Sequence, residues 1–312
     1  MGFVEDKKTA VLFLIVPTVM LIVGYFIFPF PASDVALALV QIPMFLGLIL
    51  LGVGFFIKKQ GLNNVFKILG WGVFAFYWAT QPATMYLSEG GDVFNSVVCI
   101  IGVYVLFYIA YHEWLSLVRK EDVSCLNWIA GASFIAGIIY FTVERSFIAE
   151  WLIDIVAHHS AWALDTIIGN AHVIPGTVNI WHNGMYAVTI IFACTAIQSM
   201  VIFVGMIGVV PRVDVKRKAI CLTITLVPIY ILNVLRNALV VFLVGNNITD
   251  FNMAHNVISK IGALVALIVL LLIVIRIIPE IFDEIICLTN LYKRNGPLEK
   301  AVGKVFGSKK KK

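Results

Sequence analysis

Apolar runs long enough to cross a membrane recur along this chain, and no other feature of the sequence constrains its fold as much. Each is about 20 residues, which as an α-helix spans a hydrocarbon core of roughly 30 Å. With 61% hydrophobic and 13% charged residues among 312, the composition excludes a water-soluble globule. The fold class is therefore an all-α polytopic membrane protein. Runs bounded by charges or turn residues define eight expected spans, at residues 10–30, 36–57, 65–87, 93–118, 126–144, 185–210, 219–244 and 256–278. The first run, Ala10 to Phe30, is of span length and has no small-residue cleavage site, so no cleavable signal peptide is expected. Pro17 and Pro228 fall inside spans and predict kinks.

The loops between these runs sort by charge. Lys7 and Lys8, Lys58 and Lys59 with Lys67, Arg119 and Lys120, Arg212 with Lys216, Arg217 and Lys218, and the basic tail after Arg276 all fall on one side. The opposite side has Arg145 alone. The positive-inside rule then makes both termini cytoplasmic in the cell membrane, which requires an even number of spans. On this reading the net charge of +5 is topological, and no nucleic-acid partner is expected. Residues 1–278 form one transmembrane domain with an outer-face lid at 145–184, and 279–312 form a basic cytoplasmic tail whose terminal Lys309–Lys312 fixes topology.

The lid has two parts. Ser146 to His159 spaces polar groups at helical intervals among apolar ones, the pattern of an interfacial helix. His172 to Gly184 combines β-branched residues with turn signals and predicts a short hairpin. The outer histidines, His158, His159, His172 and His182, show no HxxxH pair on one helix face. The five cysteines, Cys99, Cys125, Cys194, Cys221 and Cys287, form no CxxC pair and no metal-ligand spacing. No disulfide framework, metal site or cofactor is expected, and cysteines other than Cys194 are read as small packing residues.

Two apolar stretches carry chemistry. One, residues 191–200, sets the thiol of Cys194 among apolar residues; the other, residues 231–240, buries Arg236. A guanidinium in hydrocarbon costs at least about 2.5–3.5 kcal/mol, so it marks a functional site and needs a partner. Read as a helix entering from outside near Met185, the sixth span puts Cys194 about 13 Å deep; counted back from Val244, Arg236 lies about 12 Å deep. Antiparallel neighbours then hold both groups at one level of the outer leaflet. Gln198 lies a turn beyond Cys194, and Asn233 and Asn237 flank Arg236, giving a polar surround. His255 and Asn256 begin the eighth span several Å shallower, with Ser259 and Lys260 a turn further on. A thiol is a weak nucleophile until deprotonated; Arg236 can stabilise the thiolate or a tetrahedral oxyanion, and a histidine can carry the proton. Two other readings fit a buried arginine. One is a transporter or channel in which Arg236 binds an anion and Cys194 only packs; the other is a lipid-handling transferase using Glu144, Glu150, Asp154 or Asp165.

The stretch Ala193-Cys194-Thr195-Ala196-Ile197-Gln198-Ser199, then Leu232-Asn233-Val234-Leu235-Arg236-Asn237, then Ala254-His255-Asn256, resembles the exosortase/archaeosortase family, nearest its archaeosortase A group. The likeness covers roughly residues 170–265. It implies a membrane cysteine transpeptidase with Cys194 and Arg236 as catalytic residues and His255 or Asn256 as the third. It further implies that the substrates are secreted or surface proteins ending in a sorting signal: a Pro-Gly-Phe-type motif, a transmembrane helix and a basic cluster. Cys194 would cleave at the motif through a thioester, and an amine-bearing membrane lipid would accept the new C-terminus.

Overall fold

The computed structural model of the chain describes residues 7–28, 30–87 and 93–307. Among them six helices are long and apolar enough to cross a membrane: Lys8–Ile27, Asp34–Phe56, Val93–Arg119, Ser124–Glu144, Val215–Gly245 and Met253–Ile277. The chain is a helical multi-pass membrane protein with one three-stranded sheet. The expected outer link at 88–92 and Lys309–Lys312 lie outside the described residues. By compactness the chain divides into residues 1–134 with 283–312, and residues 135–282.

The first unit contains α1 (Lys7–Ile27), α2 (Asp34–Leu39), α3 (Gln41–Phe56), α4 (Leu62–Ala79), α5 (Gln81–Leu87), α6 (Val93–Arg119) and the start of α7 (Ser124–Glu144). Helix α4 packs against both α3 and α6. A Cβ on Gly47 would stand 2.6 Å from the Phe74 nitrogen, and one on Gly70 would stand 2.8 Å from that of Leu51. Each helix thus puts a glycine where the other's backbone passes, the close approach that small residues permit between membrane helices. The expected span 65–87 is interrupted at Thr80, where the hydroxyl donates to the Tyr77 carbonyl at 2.7 Å and Pro82 follows. Lys67, counted above among the loop charges, is instead buried: its Nζ lies 3.0 Å from Glu113 Oε1, and Asn64 Nδ2 donates to Oε2 at 2.7 Å. Burying a charge is tolerable only with such a partner, and removing one member of a buried pair costs about 3–5 kcal/mol.

The C-terminal residues 279–307 are not a featureless tail. They fold as α12 (Pro279–Thr289), a 3₁₀ turn Leu291–Arg294 and α13 (Pro297–Gly307). Arg294 donates to the His112 carbonyl at 2.9 Å, Ser116 Oγ at 3.0 Å and Glu121 Oε2 at 2.7 Å, docking the turn on the end of α6. Cys125 and Cys287 are joined in a disulfide, which corrects the reading of both as packing residues. They stand 162 residues apart, so no spacing motif announces the pair; the packing of α7 and α12 creates it.

The second unit contains the rest of α7, α8 (Phe147–Ile167), β1 (Ala171–Val173), β2 (Asn179–His182), β3 (Met185–Thr189), α9 (Ile197–Val209), α10 (Val215–Gly245), a π-helical turn Met253–Ile258, α11 (Ser259–Ile277) and the start of α12. Helix α8 buries Val156, Ala157, Ala161 and Leu164 and leaves Trp151 and Trp162 exposed, the two-faced helix that its polar stripe predicts. The strands pair antiparallel in the order β1-β2-β3. Between β2 and β3 the turn is Asn183-Gly184, with φ of 52° and 78°, the two left-handed positions that a two-residue hairpin loop demands. Its second strand therefore lies beyond Gly184, and residues 185–189 belong to the sheet. The expected helical span 185–210 is corrected accordingly: only Ile197–Val209 is α-helical. Helix α10 runs through Pro228 without a break. At its start Asp214 caps the Arg217 amide at 2.9 Å, and the Arg217 side chain reaches the Ile277 carbonyl and Glu280, tying α10 to the end of α11.

Glu299 gives the C-terminal segment a pH dependence. Burial acts to raise its carboxyl, but hydrogen bonds from His112, its own amide and Tyr111, with the charge of His112, hold it down at about 2. Tyr108 and Tyr111 donate to its two oxygens at 3.1 and 2.9 Å. A depressed carboxylate stabilises the fold fully above its ordinary value of 4.5, and that contribution is lost as pH falls from there through about 2. The melting temperature of the purified protein in detergent is expected to drop across that window, whereas Glu299→Gln melts a few degrees lower at pH 7 and shows a flatter acid limb.

Candidate functional site

Cys194 does not lie in a helix. It ends a 3₁₀ turn, Phe192–Cys194, between β3 and α9. The turn closes with the Cys194 amide on the Ile191 carbonyl at 2.8 Å and the Thr195 amide and hydroxyl on Phe192 at 3.1 and 2.7 Å. Ala196 then adopts φ 63° and ψ −3°, a left-handed conformation that costs an L residue roughly 1–2 kcal/mol, and α9 starts at once. Strain of this kind persists only where the surroundings over-determine it, and it concentrates at functional sites.

The surroundings here are supplied by α10. Asn233 and Asn237, one turn apart and both buried, each donate an amide proton to the Cys194 carbonyl, at 2.7 and 3.0 Å. Irregular backbone in an apolar interior needs such partners, because each unsatisfied polar group costs several kcal/mol. Asn237 has a second task. With its Nδ2 committed to the carbonyl, its Oδ1 faces Arg236 Nη1 at 3.4 Å. The guanidinium is thus held next to the residue that grips Cys194. His255 stacks on Phe251 with ring centroids 5.0 Å apart. It sits in the π-helical turn, an irregularity frequent at functional sites. The Asn256 side chain lies outside the described residues.

A cavity of about 410 Å³ opens beside this cluster, between α9, α10 and α11. Gln198, Ser199, Asn233, Arg236 and Ser259 are the polar residues of its wall, the Ser259 hydroxyl being buried beneath it, and the remainder is apolar or small. Arg236 Nε is buried and has no hydrogen-bond partner among the described residues. Cys194 is 5% exposed and is not itself in the wall, although Ala193 and Ala196 on either side of it are.

The sequence expectations fare unevenly. The structure joins the Cys194 carbonyl to Asn233 and Asn237, sets Arg236 against Asn237, leaves Gln198 exposed at the cavity, and places His255 in the π-helical turn against Phe251. Cys194 lies in a turn between strand and helix and not in the expected helix, so a depth counted along a helix axis does not apply to it. Ser259 was read only as part of a helix start, yet it lines the cavity. His182 is a satisfied structural group: Nδ1 meets the Asn170 carbonyl at 3.2 Å, and Nε2 meets the amides of Asn246 and Asn183 at 3.0 and 3.2 Å. Glu144, Glu150, Asp154 and Asp165 are not among the residues of the cavity wall. Among the described residues, the His, Cys, Asp and Glu groups close enough to hold a metal are Cys125, Glu284 and Cys287, whose sulfurs are bonded to each other.

No protein-family model, no curated protein and no solved structure matches this chain.

The paired asparagines make a quantitative prediction. Asn237→Leu leaves Asn233 on the carbonyl and is expected to cost about 1 kcal/mol, whereas Asn233→Leu with Asn237→Leu orphans it and costs about 1–3 kcal/mol more. Unfolding of the purified variants in detergent measures both; equal stability of the single and double variants contradicts the clamp.

Proposed function

We propose that the protein is a membrane-embedded cysteine transpeptidase that processes the C-terminal sorting signals of secreted surface proteins and passes the new C-terminus to an amine-bearing membrane lipid. One observation carries this reading. A thiol in a strained turn is gripped through its own carbonyl by the helix that also carries a half-buried, incompletely partnered arginine, at the edge of a cavity. Packing alone requires none of these features. The match of residues 193–199, 232–237 and 254–256 to the exosortase/archaeosortase pattern supplies the substrate class.

In this reading the chain crosses the bilayer eight times, with both termini cytoplasmic. Helices α3 and α6 both end at basic residues, Lys58-Lys59 and Arg119-Lys120, so α4 with α5 carries the chain back between them. The stretch from β3 through α9 does the same ahead of Lys216-Arg217-Lys218. The sheet and Cys194 then face outward, where a substrate with a membrane helix and a basic cytoplasmic end presents the peptide bond preceding that helix.

The substrate parts the wall between the cavity and the thiol. His255 takes the Cys194 proton, while Asn256, an amide that takes no proton, is left to orient the reacting groups. The thiolate sulfur bonds to the peptide carbonyl carbon, and the π electrons move onto oxygen, where Arg236 stabilises the charge. Collapse breaks the carbon–nitrogen bond; the leaving amine takes the proton back, and a thioester remains on Cys194. The lipid amine then attacks the thioester carbonyl, gives its proton to the same shuttle and expels the thiolate, which is reprotonated. Gln198 is available to orient the substrate backbone.

An anion-binding transporter is the second reading, favoured by the unpartnered Arg236 Nε in an open cavity. The two readings diverge on one residue. Cys194→Ala is expected to abolish processing of a client protein's C-terminus at normal expression, scored by mass spectrometry, while the transporter reading leaves Cys194 dispensable. Arg236→Lys, which keeps charge but loses the planar fork, is expected to lose about 100-fold or more in rate. Of His255→Ala and Asn256→Ala, one falls as far and the other does not. Normal processing by Cys194→Ala ends the proposal.

A further inference from the structure

Several hydroxyls in the membrane helices return to their own backbone, Thr18 to the Leu14 carbonyl, Thr223 to Ala219, Thr225 to Cys221 and Ser116 to His112, at 2.7 to 3.0 Å. That is the ordinary resting place for a serine or threonine in an apolar helix. Ser96 and Ser124 reach Pro82 and Glu284 instead, and Ser160 of α8, away from the cavity wall, is buried without a partner among the described residues. Ser259 is different. It is 4% exposed, and its Oγ is fully buried with no hydrogen-bond partner among the described residues. It stands where the π-helical turn gives way to α11, its amide bonded five residues back to the Ala254 carbonyl, and it lines the cavity. A buried, idle hydroxyl costs about 1–3 kcal/mol, and this one lies just behind the cavity wall, where an occupant that parts the wall reaches it.

A second set of idle donors belongs to the start of α9, whose Gln198 and Ser199 border the same cavity. Helix α9 has no side-chain cap at Ala196, and its first backbone bond runs from the Met200 amide. The amides of Ile197, Gln198 and Ser199 are therefore unused, at the positive end of the helix and immediately after the Cys194 turn. Ala196, Gln198, Ser199, Arg236 and Ser259 all border one cavity.

We propose that the Ser259 hydroxyl and the first amides of α9 together form the seat for the substrate's carbonyl oxygen, with Arg236 supplying the charge. This rests on the transpeptidase reading and deepens it. When the Cys194 sulfur bonds to the carbonyl carbon and the π electrons shift to oxygen, the new alkoxide is met by neutral donors already in place, and the same seat serves when the lipid amine attacks the thioester. The π-helical turn is what frees Ser259 for this task, by shifting the helix register just ahead of it.

Two reagents that attack the same sulfur separate the alternatives. A peptide aldehyde carrying the Pro-Gly-Phe motif adds Cys194 sulfur to a carbonyl and creates an oxygen that needs the seat; iodoacetamide alkylates the sulfur and creates none. With the full-length protein in lipid nanodiscs, adduct at the Cys194 peptide is followed by mass spectrometry. Ser259→Ala is expected to weaken aldehyde binding about 100-fold while the iodoacetamide rate stays within twofold, and Ser259→Thr, which restores the hydroxyl, recovers most of the loss. Replacing the Gln198 amide by an ester, which removes one backbone donor, is expected to weaken the aldehyde alone. If the parent binds the aldehyde and Ser259→Ala binds it equally, the seat is refuted while the transpeptidase reading stands. If the parent forms no aldehyde adduct although iodoacetamide reaches Cys194, both fail.

Discussion

Two amide protons on one carbonyl oxygen organise the second unit of this protein. Between β3 and α9 the chain abandons regular structure in an apolar interior, and the Cys194 carbonyl is left with no partner of its own in helix or sheet. Asn233 and Asn237 of α10 supply both hydrogen bonds at 2.7 and 3.0 Å. The thiol's backbone is thereby fixed to a helix rather than to a loop. The two asparagines bracket Arg236 in sequence, and Asn237 Oδ1 accepts from its guanidinium, so the arginine is tied to a residue that holds the turn. Remove the asparagines and the turn lacks partners, the left-handed Ala196 lacks compensation, and the thiol lacks a fixed position relative to the charge.

The rest of the second unit serves that junction. Val156, Ala161 and Leu164 of α8, Ile180, Val188 and Ile190 from the sheet side, and Val234, Ala238 and Val241 of α10 form one buried cluster that includes Cys194. His182 fastens the sheet to the end of α10 through Asn246, and a Cβ on Gly245 would stand 2.9 Å from His182 Cβ, so the contact admits only glycine. The first unit solves a different problem, burying Lys67 and Glu113 against each other and stitching the C-terminal helices to α6 and α7 with Arg294, Glu299 and a disulfide.

What the sequence disclosed and what it hid divide along physical lines. Composition and charge order were sufficient for the membrane class, since both follow from bilayer thickness and loop sign. The polar residues of the site were legible because polarity inside an apolar run is costly and therefore meaningful: Arg236, Asn233 and Asn237 stand out in residues 231–240 for that reason. The conformation around Cys194 was not, because an uninterrupted apolar run is compatible with strand and helix alike. One signal was present. Asn183-Gly184 is a two-residue hairpin turn and requires a strand after it as well as before, and the β-branched Val188-Thr189-Ile190-Ile191 continues that strand. The disulfide and the Lys67–Glu113 pair join positions 162 and 46 residues apart. Contacts of that kind belong to packing and leave no local trace.

The account stands on acyl transfer at one sulfur, and that is open to direct observation. The full-length protein, purified rapidly in acid from cells overproducing a client with the sorting signal, is digested and its cysteine peptides are weighed. The account predicts a hydroxylamine-labile adduct on Cys194 alone, with Cys99 and Cys221 unmodified, and no such adduct in Arg236→Lys. A client processed at full rate with no acyl group ever found on Cys194, even when the acceptor amine is depleted, would contradict it.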